Sequence, residues 1–174
     1  METINTTQQP KRPTGMTILL VLSFLNACFN IFSNIVMYFF TPMMADMVKN
    51  GQLEEMMEPF MTAASEEMRI AMMDSMTALS NIKPAYYLMM SVLFVGSLIG
   101  VLRMFKLDKR GIHFYAISQL LMLIVSSLYK YPIMHPSPFT TDLMLTTMFI
   151  VVYYLYFKRL EMQKQQNPSN PFQE

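Results

Sequence analysis

Residues 16–40 read MTILLVLSFLNACFNIFSNIVMYFF, a run of 25 residues without a charged side chain. A helix needs about 20 mostly apolar residues to cross a hydrocarbon core of about 30 Å, so this run is long enough to span a membrane. Lys11 and Arg12 precede it, a feature that also occurs in secretory signal peptides. The run is longer than the roughly 7–15 apolar residues of a signal peptide, and no clear cleavage site follows it. We therefore predict a retained span.

The composition of the whole chain also indicates a membrane protein. Of its 174 residues, 53% are hydrophobic and 14% are charged, against roughly 25% charged residues in soluble domains. Three more stretches are long and apolar enough to cross a bilayer, at residues 85–105, 112–130 and 139–157. The net charge is only +1, whereas nucleic-acid-binding proteins usually carry an excess of basic residues, so no nucleic-acid partner is expected. We predict an all-α integral membrane protein whose residues 16–158 form a domain of four transmembrane helices in the lipid bilayer.

Basic residues predict the orientation of the spans, because they accumulate in cytoplasmic segments. Nine of the 13 lysines and arginines lie before the first span, between the second and third, or after the fourth. Both termini are therefore expected in the cytoplasm, with residues 1–15 as one tail and residues 159–174 as a disordered second tail. Several tyrosines, Tyr86 and Tyr131 among them, fall near span ends, where aromatic residues commonly anchor helices at the interface.

Residues 43–80 form the one sizeable segment outside the predicted spans. Apolar residues recur every three or four positions over 53–79, with acidic residues opposite, which is the pattern of an amphipathic helix. The Asn-Gly pair at 50–51 is a turn signal, and Pro59 fits the first turn of a helix better than its interior. We predict an extracytoplasmic segment with a short helix before the turn and a longer helix over about 59–79.

The segment is also rich in methionine, of which the chain contains 21. Thioethers are suitable ligands for Cu(I), so an extracytoplasmic Cu(I) or Ag(I) site is one hypothesis. Methionine is also a flexible apolar filler, and it is abundant inside the predicted spans. We favour packing, with no metal and no other cofactor, and keep the metal site as an alternative. The methionines concerned are Met43, Met44 and Met47, and Met68, Met72, Met73 and Met76.

Polar side chains follow one face of two predicted spans at helical spacing. They are Ser23, Asn26, Asn30 and Asn34 in the first span, and Tyr115, Ser118 and Gln119 in the third. Hydrocarbon offers no hydrogen-bond partner, so these faces should turn toward each other or toward a water-filled cavity. In the first interpretation the amides bond across helices, for about 0.6–2 kcal/mol each, and Ser118 and Gln119 face the asparagines. In the second they line a polar pathway or ligand pocket.

Three further residues have structural interpretations. Gly96 and Gly100, at GxxxG spacing, predict a close approach of two helices. Asp142 stands near the start of the fourth span, where a carboxylate can cap free amides at the positive end of a helix dipole.

The sequence contains no recognisable nucleophile–base arrangement, phosphate loop or metal-ligand cluster, so we assign no catalytic residue and expect no enzyme.

Three segments resemble a group of small four-span proteins of unassigned function from Bacteroidetes-type bacteria. They are KRPTGMTILLVLSFLNA (11–27), GIHFYAISQLLMLI (111–124) and DLMLTTMFIVVYY (142–154). The resemblance implies residence in the inner membrane of a Gram-negative cell, and it implies no reaction or ligand. We expect a non-enzymatic accessory or scaffold subunit, with another membrane protein or a second copy of itself as partner. A small oligomeric transporter or channel is the alternative.

Overall fold

The computed structural model describes residues 13–61, 65–133 and 138–166. Within these ranges the chain forms six helices and no strand. They are α1 (Thr14–Lys49), α2 (Gln52–Met61), α3 (Glu66–Ser80), α4 (Pro84–Phe105), α5 (Arg110–Tyr129) and α6 (Phe139–Gln166). The prediction of an all-α protein is confirmed. Four helices, α1, α4, α5 and α6, are long and apolar enough to cross a membrane.

Large apolar side chains cover the outer surface of these four helices. Phe29, Phe39 and Leu128 are 70%, 71% and 69% exposed, and Met144 is 74% exposed. Exposing such apolar surface to water, rather than to an apolar surrounding, costs roughly 25 cal/mol of free energy per Å². Such a surface fits hydrocarbon, and the four helices therefore fit a multi-pass membrane protein.

Helix α1 is longer than the first predicted span. Its 36 residues correspond to about 54 Å at 1.5 Å per residue, well beyond the hydrocarbon thickness. It continues through Pro42 to Lys49, so the short separate helix predicted before the 50–51 turn is instead the end of α1. The turn follows where predicted, and Gly51 adopts a φ of 71°, a conformation that glycine takes without strain.

The single longer helix predicted over 59–79 is wrong. Helices α2 and α3 are separate, and Pro59 lies near the end of α2 rather than in a first turn. The N-cap of α3 is Ser65, whose Oγ accepts a hydrogen bond from the amide of Met68 at 3.4 Å. Two glutamates follow in the first turn, where acidic side chains favour a new helix start. The apolar repeat alone did not reveal this interruption.

The long helices alternate in direction, because short links join α4 to α5 and α5 to α6. Helix α1 packs against α4, α4 against α5, and α5 against α6. We call the end of the bundle where α2 and α3 lie the cap end, and the end with the α4–α5 link the basic end. Helices α2 and α3 contact α1 at the cap end, where Leu53 and Met57 pack with Met47, Met73 and Met76.

Two clusters of buried side chains form the core. The cluster near the basic end contains residues of all four long helices, such as Met16, Val101, Tyr115 and Tyr153. The cluster toward the cap end, around Phe94, takes its residues from α1, α3, α4 and α5 and their links, and none from the described part of α6. Helix α6 therefore packs into the bundle core at the basic end only.

Helix α6 also extends beyond the predicted end of the fourth span. It continues to Gln166, so the tail predicted to be disordered from residue 159 is helical over 159–166. Leu160 packs into the basic-end core, and the carboxylate of Glu161 pairs with the ammonium group of Lys109. These two contacts explain why the helix persists. Residues 167–174 of the predicted tail lie outside the described residues.

The predicted glycines lie where α4 meets α5. A Cβ atom added to Gly100 would lie 2.7 Å from the backbone nitrogen of Tyr115 and 2.9 Å from the carbonyl oxygen of Gly111. One added to Gly96 would lie 2.7 Å from the Oγ of Ser118. Two helix backbones can approach this closely only where Cβ atoms are absent.

Candidate functional site

A cavity of about 810 Å³ lies between α1, α4, α5 and α6, within the roughly 300–1,000 Å³ usual for ligand pockets. Six of the seven residues predicted to form polar faces line it: Ser23, Asn26, Asn30, Asn34, Tyr115 and Gln119. The seventh, Ser118, lies instead against Gly96 at the α4–α5 contact. The structure thus brings the polar faces of the first and third spans to one space.

The asparagines of α1 form hydrogen bonds along their own helix. Asn30 Nδ2 donates to the carbonyl oxygen of Asn26 at 2.8 Å and to its Oδ1 at 2.9 Å. Asn34 Nδ2 donates to the carbonyl oxygen of Asn30 at 2.7 Å. Among the described residues, none of these asparagines bonds to another helix. The described bonds run along α1, because the carbonyl four residues back is always within reach of such a side chain. The cross-helix role of the asparagines stays a prediction.

These local bonds leave hydrogen-bonding capacity unused. An amide side chain carries two donor hydrogens and an oxygen that can accept twice. Within the described part of the chain, no donor reaches the Oδ1 atoms of Asn30 and Asn34. Asn30 and Asn34 are only half-buried, and Asn26 is exposed. The cavity wall formed by α1 can therefore still bond to a molecule that enters it.

Gln119 behaves as the sequence predicts in part. Its Nε2 donates to the Oγ of Ser97 on α4 at 3.2 Å, so it does join two helices. Its partner is a buried serine of α4, however, and not the asparagine face of α1 that was expected. Gln119 also lines the cavity, so it agrees with the packing interpretation and with the ligand-pocket interpretation.

Tyr153 of α6 lies behind the cavity wall at the basic end, in contact with the lining residues Ser23 and Tyr115. Its hydroxyl donates to the carbonyl oxygen of Leu19 at 2.9 Å and lies 2.7 Å from the Oγ of Ser23, whose hydroxyl is then the donor. The tyrosine is fully buried, and its ring meets that of Tyr115 edge to face at 5.3 Å. We call these contacts the Tyr153 closure. They fasten α6 to α1 at the end of the cavity that lies toward the basic end.

The mouth of the cavity, at the cap end, carries charged and hydroxyl groups. Tyr131 donates its hydroxyl to Oδ2 of Asp142 at 2.8 Å, and the hydroxyl of Tyr86 lies 3.3 Å from the Oγ of Ser126. Lys130 lines the same mouth. Burial raises the pKa of Tyr131 above its usual 10, and the hydrogen bond to the Asp142 carboxylate raises it further. Tyr131 is therefore a hydrogen-bond donor throughout the physiological pH range.

Asp142 agrees with the prediction in its position at a helix start and differs from it in its hydrogen bond. It is in the first turn of α6, three residues after its start, and its carboxylate accepts from Tyr131 rather than, among the described groups, from a free helix amide. Sequence reasoning treated Tyr86 and Tyr131 as interfacial anchors and did not assign Lys130. The available signal was that Lys130 and Asp142, of opposite charge, flank the same short connection between two spans.

The methionines of the outer segment give the metal hypothesis less support than packing. Met47, Met73 and Met76 pack around Leu53 and Met57 in an apolar cluster, while Met68 is 63% exposed.

Comparison of the chain with protein-family models, with curated proteins and with solved structures gives no match. The class of the protein therefore rests on its fold, which is helical, with four apolar helices long enough to cross a membrane.

Proposed function

We propose that this protein is a non-enzymatic, multi-pass membrane protein that binds the polar part of a ligand in the cavity between its four long helices. This is the function of a small carrier or binding protein, rather than that of a scaffold. The observation that carries the proposal is that Asn26, Asn30 and Asn34 line the cavity, while their bonds to other described residues all run along α1.

The energetics of partly buried amides support this interpretation. An amide group without its hydrogen bonds costs about 1–3 kcal/mol in a protein interior. Helix packing would compensate this cost by bonds between helices, and the described bonds of these three asparagines are not of that kind. Water or a ligand in the cavity compensates it instead. A scaffold role gains no comparable support, since it provides no reason for a polar wall along a cavity.

Location and orientation complete the proposal. The cap end faces the outside of the inner membrane, and both termini lie in the cytoplasm, as the distribution of basic residues favours. In this orientation the cavity opens outward and the Tyr153 closure shuts it from the cytoplasm. The resemblance to small four-span proteins of Bacteroidetes-type bacteria is in keeping with an inner-membrane location. A partner copy or another membrane protein is compatible with the exposed apolar helix surfaces.

Cysteine accessibility tests whether the cavity admits water. In a background in which Cys28, the only cysteine of the chain, is replaced by serine, we would compare Asn30→Cys with Phe29→Cys in membrane vesicles. A charged, membrane-impermeant thiol reagent should label position 30, which lines the cavity. It should not label position 29, a neighbour on the same helix whose side chain faces outward.

The three outcomes are distinct. Labelling of position 30 from the outside alone supports both the cavity and the orientation, and labelling from the cytoplasm alone reverses the orientation. If position 30 is as unreactive as position 29, the cavity excludes water and the proposed function is wrong.

A further inference from the structure

The cavity has an open side between α1 and α6. The two helices meet near the basic end, where Gly15 lies against the hydroxyl of Tyr156 and the Tyr153 closure forms. Toward the cap end, α6 contributes none of its described residues to the buried core. Leu22 of α1 and Leu145 of α6 line the cavity and are also 53% and 47% exposed. This side of the cavity is therefore bordered by apolar side chains and faces the hydrocarbon.

The mouth carries one positive and one negative group that are not paired with each other. Lys130 and Asp142 both line it, and no ion pair joins them among the described residues. Asp142 is held in place through Oδ2 by Tyr131, so its other oxygen remains able to accept from a ligand. A ligand with both a negative and a positive group would satisfy both side chains, because charge-assisted hydrogen bonds are among the strongest in proteins.

We infer that the cavity binds a zwitterionic phospholipid, with its phosphate at Lys130, its amine at Asp142, and its acyl chains leaving between Leu22 and Leu145. The inference rests on the proposed function and names its ligand. The ester oxygens of the lipid would lie below the headgroup, at the depth of Asn34 and Asn30. A soluble polar molecule would fit the mouth equally well, but it would leave the apolar side of the cavity without a partner.

The lipid class can be tested with the full-length protein in a mild detergent. We would add equal amounts of a phosphatidylethanolamine and a phosphatidylglycerol with the same acyl chains, and measure bound lipid by native mass spectrometry. Only the first has an amine that can donate to Asp142. We expect it to be bound in about tenfold excess, the ratio that corresponds to one hydrogen bond to a charged group.

Four variants show whether the preference comes from the mouth. Asp142→Asn should remove the excess of phosphatidylethanolamine while retaining an acceptor for Tyr131, and Lys130→Gln should reduce binding of both lipids. The matched controls are Asp46→Asn and Lys83→Gln, whose side chains are exposed and do not line the cavity. Both controls should bind lipid as the unmodified protein does.

Three results would overturn the inference. The first is equal binding of the two lipids by the unmodified protein, and the second is an equal effect of Asp142→Asn and Asp46→Asn. The third is a stoichiometric partner protein that crosslinks to position 145 in native membranes, which would make the open side a protein interface. If the thiol reagent labels position 30 but no lipid preference is found, the lipid inference fails and the proposed function stands. If position 30 is not labelled, both fail.

Discussion

Replacing Gly100 by alanine should separate α4 from α5 and destabilise the bundle. The added Cβ would lie within 2.7–3.0 Å of three backbone atoms of α5, in Gly111 and Tyr115. Ordinary contact begins at 3.4 Å, so the helices must move apart by about 0.7 Å, which is 3.4 minus 2.7. Because the opposing atoms belong to a helix backbone, no side-chain rotation can relieve the contact.

The magnitude follows from two opposing effects. Overpacking of a well-packed core costs about 1–3 kcal/mol, and contact with three backbone atoms places this site in the upper part of that range. Alanine has a helix propensity about 1 kcal/mol better than that of glycine. The net loss in the free energy of unfolding should therefore be about 1–2 kcal/mol, a factor of about 5–30 in the unfolding equilibrium.

Gly96→Ala provides the matched control. It lies one turn away on the same helix face and carries the same propensity gain, but its Cβ would meet only side-chain atoms of Ser118. That hydroxyl can rotate away, so the loss should be below about 1 kcal/mol. Reversible unfolding in mixed micelles with increasing SDS, followed by circular dichroism, measures both variants. A Gly100→Ala protein at least as stable as the unmodified one would refute the close α4–α5 contact.

Three other predictions concern single interactions. Tyr153→Phe keeps the ring but removes both hydrogen bonds of the Tyr153 closure. It should lower the free energy of unfolding, measured in the same SDS titration, by about 1–2 kcal/mol. The control Tyr154→Phe, at an exposed neighbouring position, should have little effect. Tyr131→Phe should alter the pH dependence of stability. The pKa of Tyr131 is raised above 10 in the folded state, so its contribution to stability is complete below about pH 10 and is lost as the pH rises further. Melting curves at increasing alkaline pH should therefore show a smaller loss of stability in the variant. An unchanged loss would contradict the contact with Asp142. Glu161→Gln removes an exposed ion pair and should change stability by less than about 1 kcal/mol, a difference that should vanish in high salt.

The position of the four spans could be predicted from the sequence because hydropathy over about 20 residues reflects the solvent directly. The continuation of α1 past Pro42 was not predictable in this way. Hydropathy shows where a helix leaves hydrocarbon, but a helix does not end there unless the sequence stops it. The new helix start at Ser65 was missed for the converse reason. An apolar repeat can continue across a helix start whose signal is a single cap residue.

The sequence predicted which residues form the polar faces, but it predicted their roles only in part. Helical spacing placed Asn26, Asn30 and Asn34 on one face, and the structure shows that face at the cavity. Spacing did not show whether each amide would bond to its own helix or to another one, because both partners lie within reach. The mouth of the cavity was harder still. Tyr86 and Tyr131 have the distribution of ordinary interfacial tyrosines, and only the three-dimensional path of the α5–α6 link brings one of them to Asp142.

The uneven packing of α6 connects these observations. Near the basic end α6 contributes Tyr153, Phe157 and Leu160 to the core, and the Tyr153 hydroxyl fastens it to α1. Toward the cap end the same helix is linked to the bundle through the Tyr131–Asp142 hydrogen bond. A ligand that binds Asp142 acts on the one described side-chain hydrogen bond that holds this half of α6, while the Tyr153 closure holds the other half. Passage of a ligand to the basic end would require that closure to open, so a carrier function predicts that Tyr153→Phe raises flux while it lowers stability. A variant that lowers both would indicate a binding protein whose cavity serves one side of the membrane only.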